Sequence, residues 1–235
     1  MEQIKYNDQI IEFELTYSRR KNLEIRVENP DVVRVKAPLG VSKSQVYELV
    51  LSKAEWILAK LEILKQRTPP VEKRFIDGEE FVYLGQVYRL AVVIDEGVRK
   101  PVVKLNGGEL VITAPIFDPE LLRTFVQKWY GEQVLATASK LVEEYVDVIG
   151  RRPAKIKISS ARKRWGSCSS LGNVLLSWRL AMAPLPVLEY VLVHELCHLV
   201  HMNHSREYWK LVELVLPDYR ERLKWLKENG YLLNI

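Results

Sequence analysis

The chain has 235 residues, 48% of them hydrophobic, which is enough for a sizeable core in one large domain or two small ones. Its formal net charge of +5 is spread along the length, so it permits an acidic or nucleic-acid partner without demanding one. Cys168 and Cys197 are too few for a disulfide framework, no apolar run approaches a membrane span, and the polar start "MEQIKYNDQI" lacks the apolar stretch of a signal peptide. A soluble protein of a reducing, cytoplasmic setting is expected.

Along the chain, "IIEFELTYS", "KNLEIRVEN" and "DVVRVKAP" alternate apolar and polar residues between turn signals, as half-buried strands do. After Pro38, Ser42 to Gln45 form a capping-box pattern that opens a helix through about Leu64, with Val46, Leu49, Val50, Ile57 and Leu61 near helical spacing. "TPP" at Thr68–Pro70 then reads as a short linker. The pattern recurs in "EFVYLGQVYRLAVVID" and "KPVVKLNGGELVITAP", where Asn106-Gly107 signals a hairpin. "VRVKAP" (Val33–Pro38) is matched by "LVITAP" (Leu110–Pro115), and each precedes a helix-capping residue, Ser42 or Asp118. A two-copy unit of strands followed by a helix is the reading.

From Asp118 to about Ile149 the pattern is helical. "AKIKISS", "RKRWGSC" and "VLLSWRL" (Val174–Leu180) read as strands. "APLP" introduces a further helix, with Pro186 suited to its first turn, and two shorter helices follow at about 205–216 and 217–229.

That further helix carries "VHELCHLVHMNH", and the chain's four histidines, His194, His198, His201 and His204, all fall in it. His194-Glu195-Leu196-Cys197-His198 is the H-E-x-x-H pattern of zinc proteases. Residues four apart lie on one helical face, about 6 Å apart along the axis, so two imidazoles can converge on one zinc ion. Glu195, beside the first of them, can take a proton from a zinc-activated water. "VLEYVLVHELCHLV" is apolar almost all round, and burying two histidines and a glutamate there is costly unless they are paired or metal-bound.

A catalytic zinc needs a third protein ligand. His201 lies on the right face but about 7.5 Å too far along a straight helix. His204 becomes reachable if the chain turns after Met202, with Asn203 taking a left-handed conformation. The spacing 0, 4, 10 matches metzincins, but their turn glycine is replaced by His201 and no methionine follows His204. Glu207 or Glu213 is a further candidate.

"RWGSCSSLGNVLLSWRLAMAP" followed by "VLEYVLVHELCHLVHMNHSREYW" closely resembles the YgjP-like metallopeptidases, distant relatives of the SprT and WLM zinc proteases. The resemblance extends upstream through "VRVKAPLGVSKSQVYELVLSKAEWI" and "FVYLGQVYRL". It implies that His194, His198 and His204 are the zinc ligands and Glu195 the catalytic acid/base, with His201 at a variable position. It also implies that a peptide adds to a sheet edge beside the metal, by backbone pairing. "VLLSWRL" or "RKRWGSC" is the candidate edge, and Trp165, Ser177 and Trp178 are the candidate substrate contacts. Cys168 is expected to pack as a small residue, with a thiolate ligand as the alternative.

The expected fold is α+β: a zincin-like metallopeptidase domain (antiparallel sheet plus active-site helix) at 116–235, preceded by a β-rich region at 1–115 with one long helix at about 42–64. The expected function is zinc-dependent hydrolysis of peptide bonds in a peptide or protein substrate, with one zinc per chain. A SprT-like protease acting on DNA-bound proteins and a zinc-stabilised binding module for nucleic acid or protein are the rivals. The basic clusters Arg19-Arg20-Lys21 and Arg162-Lys163-Arg164 read as solvated faces, with no nucleic-acid fold signature beside them.

Overall fold

In a computed structural model, residues 1–29, 32–66 and 72–235 are described, so the expected linker Thr68–Pro70 lies outside them. The chain forms two compact units, Met1–Pro69 and Pro70–Ile235.

The first unit is a sheet under two helices. Strands β1 (Glu2–Tyr6), β2 (Gln9–Ser18), β3 (Glu24–Asn29) and β4 (Val32–Pro38) lie in the order β1-β2-β4-β3, with β2 and β4 parallel. β1 was not anticipated from the pattern. Alternation turns Ile11, Phe13, Val33, Val35 and Ala37 inward, where they meet Val46, Val50, Ala54 and Ile57. These last four belong to two helices, α1 (Lys43–Ser52) and α2 (Ala54–Lys65), where one was expected. Ser42 caps α1 through the reciprocal bonds with Gln45 that its sequence implied. At the other end the Ser52 hydroxyl donates to the Leu49 carbonyl at 2.8 Å, and Lys53 leaves the helical region at φ −109°, ψ 7°. A serine hydroxyl competing for a main-chain carbonyl loosens a helix, and the break lets both pieces bury their apolar face on one sheet.

The second unit starts with the same frame. Strands β5 (Glu80–Tyr83), β6 (Gln86–Ile94), β7 (Val102–Asn106) and β8 (Glu109–Ala114) lie in the order β5-β6-β8-β7, with β6 and β8 parallel. The repeat in the sequence therefore corresponds to a repeated strand order. Asp118 caps the following helix α3 (Pro119–Ile149) by accepting from the N–H groups of Glu120 and Leu121, and Gly150, at φ 76°, ends it.

A second sheet follows: β9 (Lys155–Ser159), β10 (Gly166–Cys168) and β11 (Asn173–Ser177), in the order β10-β11-β9. It is mixed, not antiparallel as expected. β11 returns antiparallel to β10 and inserts between it and β9, which leaves β9 and β11 running the same way. The predicted strand through Leu180 stops at Ser177, whose hydroxyl accepts from the Arg179 N–H and opens a 3₁₀ turn at Trp178–Met182. Helices α4 (Leu185–Cys197), α5 (Arg206–Val215) and α6 (Tyr219–Asn229) complete the unit.

The division falls near residue 70 and not at 115/116, for a packing reason. Phe75, Phe81, Leu90, Leu110 and Ile112 share one core with Leu122, Val126 and Tyr130 of α3 and with Leu188 and Leu192 of α4. The β5–β8 sheet cannot be cut from the histidine-bearing part without exposing that core. Among the described residues, no helix is long and apolar enough to cross a membrane.

Candidate active site

α4 is buried on nearly every side, through Val187, Leu188, Tyr190, Val191, Leu192, Val193, Glu195, Leu196 and Cys197. It ends earlier than the sequence suggested. His198 is already the C-cap, at φ −67°, ψ −17°, and a turn follows in which Leu199 donates to Leu196 and both Val200 and His201 donate to the Cys197 carbonyl. Asn203 does not adopt the left-handed conformation expected of it. Because the helix stops one turn sooner, ordinary backbone angles suffice to bring the chain back. Ser205 then caps α5 by accepting from the Tyr208 N–H at 3.3 Å.

The reversal brings His204 onto His194, with their Nε2 atoms 3.2 Å apart. His198 joins them, its ring centre 5.1 Å from that of His194 and 4.7 Å from that of His204. The potential ligand atoms of these three histidines all lie within 4.8 Å of one another. The ring of His201 is not in the group, and neither are Cys168, Glu207 and Glu213. His201 contributes its main chain instead: its carbonyl lies 3.0 Å from His198 Nδ1 and accepts that N–H, which leaves His198 Nε2 as the free donor atom.

The surroundings favour neutral imidazoles, the form that binds metals. Burial, reinforced by His198 and His204, pushes His194 down to about 4. Burial and then His198 lower His204. His194 Nδ1 is buried with no hydrogen-bond partner, a costly arrangement unless the rest of the ring is strongly engaged. Two nitrogens 3.2 Å apart match the separation of about 3.3 Å expected for tetrahedral ligands about 2.0–2.1 Å from one zinc. The donor set fits a metal ion.

Two aromatic residues, not singled out from the sequence, hold the histidines. Tyr208 is wholly buried, stacks on His198 at 4.6 Å, meets His204 edge-on at 4.8 Å, and donates its hydroxyl to the His194 carbonyl at 2.9 Å. Trp209 stacks on His204 at 5.6 Å. Their signal was available: Ser205 is an N-cap, and residues three and four positions later fall in the first turn of the helix it opens.

Glu195 is only 5% exposed, and burial pushes its carboxyl up to about 7 against the opposing pull of Arg164. It sits directly against β10. A Cβ added at Gly166 would lie 2.6 Å from Glu195 Oε1, so only glycine lets this strand approach the carboxylate. The glycine of "RWGSC" was the legible sign, since glycine inside a strand often marks such an approach. β10 is the outer strand and β11 the inner one, so the candidate edge is the "RKRWGSC" strand.

The three candidate substrate contacts fare differently. Ser177 is buried, donating its N–H to the Trp165 carbonyl at 2.8 Å. Trp178 is buried in a stack on Tyr130 with ring centres 6.1 Å apart. Neither has a face left for a peptide, because the strand carrying them turns into the core at the 3₁₀ segment. Trp165 is half-buried, with its indole against Gly230. Cys168 is half-buried and its thiol is raised by burial and then by Glu195, while Cys197 is buried and pushed up to about 12. Both are protonated thiols near neutral pH.

Comparison with curated proteins gives no significant match. Among solved structures, the crystal structure of the metallopeptidase zymogen of Pyrococcus abyssi abylysin aligns at 26% identity and a TM-score of 0.36, over 39% of this chain and 93% of that one. The family model described as "YgjP-like, metallopeptidase domain" matches residues 21–229, nearly the whole chain and all of the histidine centre. The chain belongs to the YgjP-like metallopeptidase family.

Proposed function

We propose that the protein is a zinc-dependent peptidase in which His194, His198 and His204 hold one zinc and Glu195 is the general base. When bound, zinc supplies Lewis acidity, acidifying water and polarising a carbonyl. The observation that carries the reading is the juxtaposition of three imidazoles with the buried carboxyl of Glu195, the residue next to His194. Glu195 takes the proton of the attacking water and returns it to the departing amine. Its elevated affinity for protons suits both transfers near neutral pH.

The peptide lies along β10, whose outer side has no strand partner among the described residues. Gly166 lets the backbone of that strand approach Glu195, so a peptide paired there presents a carbonyl to the carboxylate side of the histidine centre. Backbone pairing recognises any extended peptide, which makes a peptide or protein the substrate class.

Three variants test this together. His204→Ala loses bound zinc and hydrolysis, while His201→Ala keeps most of both, because only its carbonyl is used. Glu195→Gln keeps zinc near one per chain and loses hydrolysis by about 10²–10⁴-fold. Zinc content by mass spectrometry of the intact protein, with cleavage of a peptide library, reads all three. Zinc retained in His204→Ala and lost in His201→Ala overturns the ligand set, and zinc lost in Glu195→Gln overturns the base.

A further inference from the structure

A second polar site lies in the same unit, apart from the histidine centre. A cavity of about 330 Å³ is lined by Arg123, Arg162 and Arg179, together with Gln127, Glu72, Glu120 and the last two residues, Asn234 and Ile235. No residue of the histidine centre lines it. The three guanidinium groups are not in the same situation. Arg123 is satisfied: it pairs with Glu120 at 3.3 Å and Glu72 at 3.4 Å and donates to the Lys73 carbonyl at 3.0 Å. Arg179 is not. It is 9% exposed, its guanidinium lies 4.3 Å from the centre of the Trp178 ring, and one arm donates to the Ser160 carbonyl at 3.2 Å. Among the described residues no carboxylate comes within ion-pair distance of Arg179 or Arg162.

A buried guanidinium beside a second cation lacks the counter-charge that normally accompanies burial. Burial, and then the like charge of nearby Arg162, lower the Arg179 pKa. Guanidinium forks match the geometry of planar or tetrahedral oxyanions, to which they donate in pairs. We propose that this cavity is an oxyanion-binding site that takes a carboxylate or phosphate group between Arg162 and Arg179, with Gln127 as a neutral donor.

The site is linked to the segment that enters β10. Ser160, held by Arg179, and Arg162 lie in the stretch between β9 and β10, ahead of Arg164, whose charge acts on Glu195, and of Gly166, which touches it. With Ser160 already held by Arg179, an anion bound to Arg162 ties a second point of that stretch to the cavity, on the N-terminal side of the residues beside the carboxylate. The anion could be free in solution or carried by a peptide lying along β10.

The test uses the full zinc-loaded chain and two probes, inorganic phosphate and a peptide with a free C-terminal carboxylate, each at ionic strength matched with chloride. Binding is followed by calorimetry and by the rise in Tm. Saturable binding is expected, weakened about tenfold or more in Arg162→Gln, the loss expected for one charge-assisted hydrogen-bonding partner. Arg179→Lys keeps the charge but loses the fork, and is expected to weaken binding similarly; if it fails to fold, the exposed Arg162 carries the test alone. His204→Ala should retain phosphate binding, which separates the cavity from anion capture at the histidine centre. Binding of phosphate identifies a diffusible anion, and binding of the peptide acid but not its amide or phosphate identifies a peptide-borne one. No saturable effect from either probe, or wild-type affinity in Arg162→Gln, overturns the proposal.

Discussion

The two four-stranded sheets have the same strand order, with the second and fourth strands parallel in each, and both open with a two-residue hairpin turn. The turns differ in what they do. Asn7-Asp8 is polar and exposed, with Asn7 at φ 52°. Leu84-Gly85 takes positive φ at both residues, 48° and 77°, and is docked: the Leu84 N–H donates to the Ala181 carbonyl at 2.7 Å, and a Cβ on Gly85 would lie 3.1 Å from Pro184 Cγ. The helices differ as well. α1 and α2 close a small core of their own, whereas the 31 residues of α3 cover the sheet and also pack against β9 and α4. One frame thus completes itself, and the other braces the segment that leads into the histidine helix. A duplicated sheet specifies a fold; a turn and a helix length decide whether that fold supports chemistry.

The contrast is sharpest for matched core truncations. Ile57 in α2 and Leu122 in α3 are both fully buried beneath their sheets, so Ile57→Ala and Leu122→Ala should each cost about 2–5 kcal/mol. The first should lower only the unfolding transition of Met1–Pro69, with zinc binding intact, and the second should lower the other transition and zinc binding with it. Urea unfolding followed with zinc content distinguishes them, and a loss of zinc in Ile57→Ala breaks the comparison.

Acid–base behaviour should divide the same way. Among the described residues the buried polar and charged side chains are Ser177, Arg179 and Glu195, all in the second unit. Glu195 has a folded pKa of about 7 against an ordinary 4.5, so the folded state resists its ionisation. In the metal-free protein this penalty is absent below pH 4.5, grows as pH rises to about 7, and is constant above that. Glu195→Gln should therefore stabilise the metal-free second unit at pH 8 by on the order of 3 kcal/mol at most, with the gain fading towards pH 4.5. The transition of the first unit should show no such difference. Equal gains at pH 5 and pH 8 would remove the assignment to Glu195.

The smallest effect concerns the turns. Gly85→Ala forces a side chain into positive φ against Pro184 and should cost about 1–3 kcal/mol. Asp8→Ala, on the exposed turn, should stay within about 0.5 kcal/mol. Thermal unfolding of the two variants measures the difference, and equal costs would show that docking of the second turn is unimportant.

Periodicity and capping were enough for most elements because they are local properties of the chain. Alternation marked β2 and β4, and its recurrence β6 and β8; Asp118 and the helical pattern to about Ile149 marked α3; the H-E-x-x-H spacing put His194, Glu195 and His198 on one buried helix. The resemblance between Val33–Pro38 and Leu110–Pro115 revealed the repeat before any contact was known. Other features depended on residues distant in the chain. The break at Lys53 answers to two helices sharing one sheet, and Ser177 and Trp178 are buried because the chain dives into the core at a 3₁₀ turn. The early end of α4, which a local left-handed turn at Asn203 had been expected to supply one turn later, is fixed by the return into α5 and the packing of Tyr208 beneath three imidazoles. Spacing along a helix determined which histidines share a face, whereas the choice between His201 and His204 required the chain reversal that only tertiary packing provides.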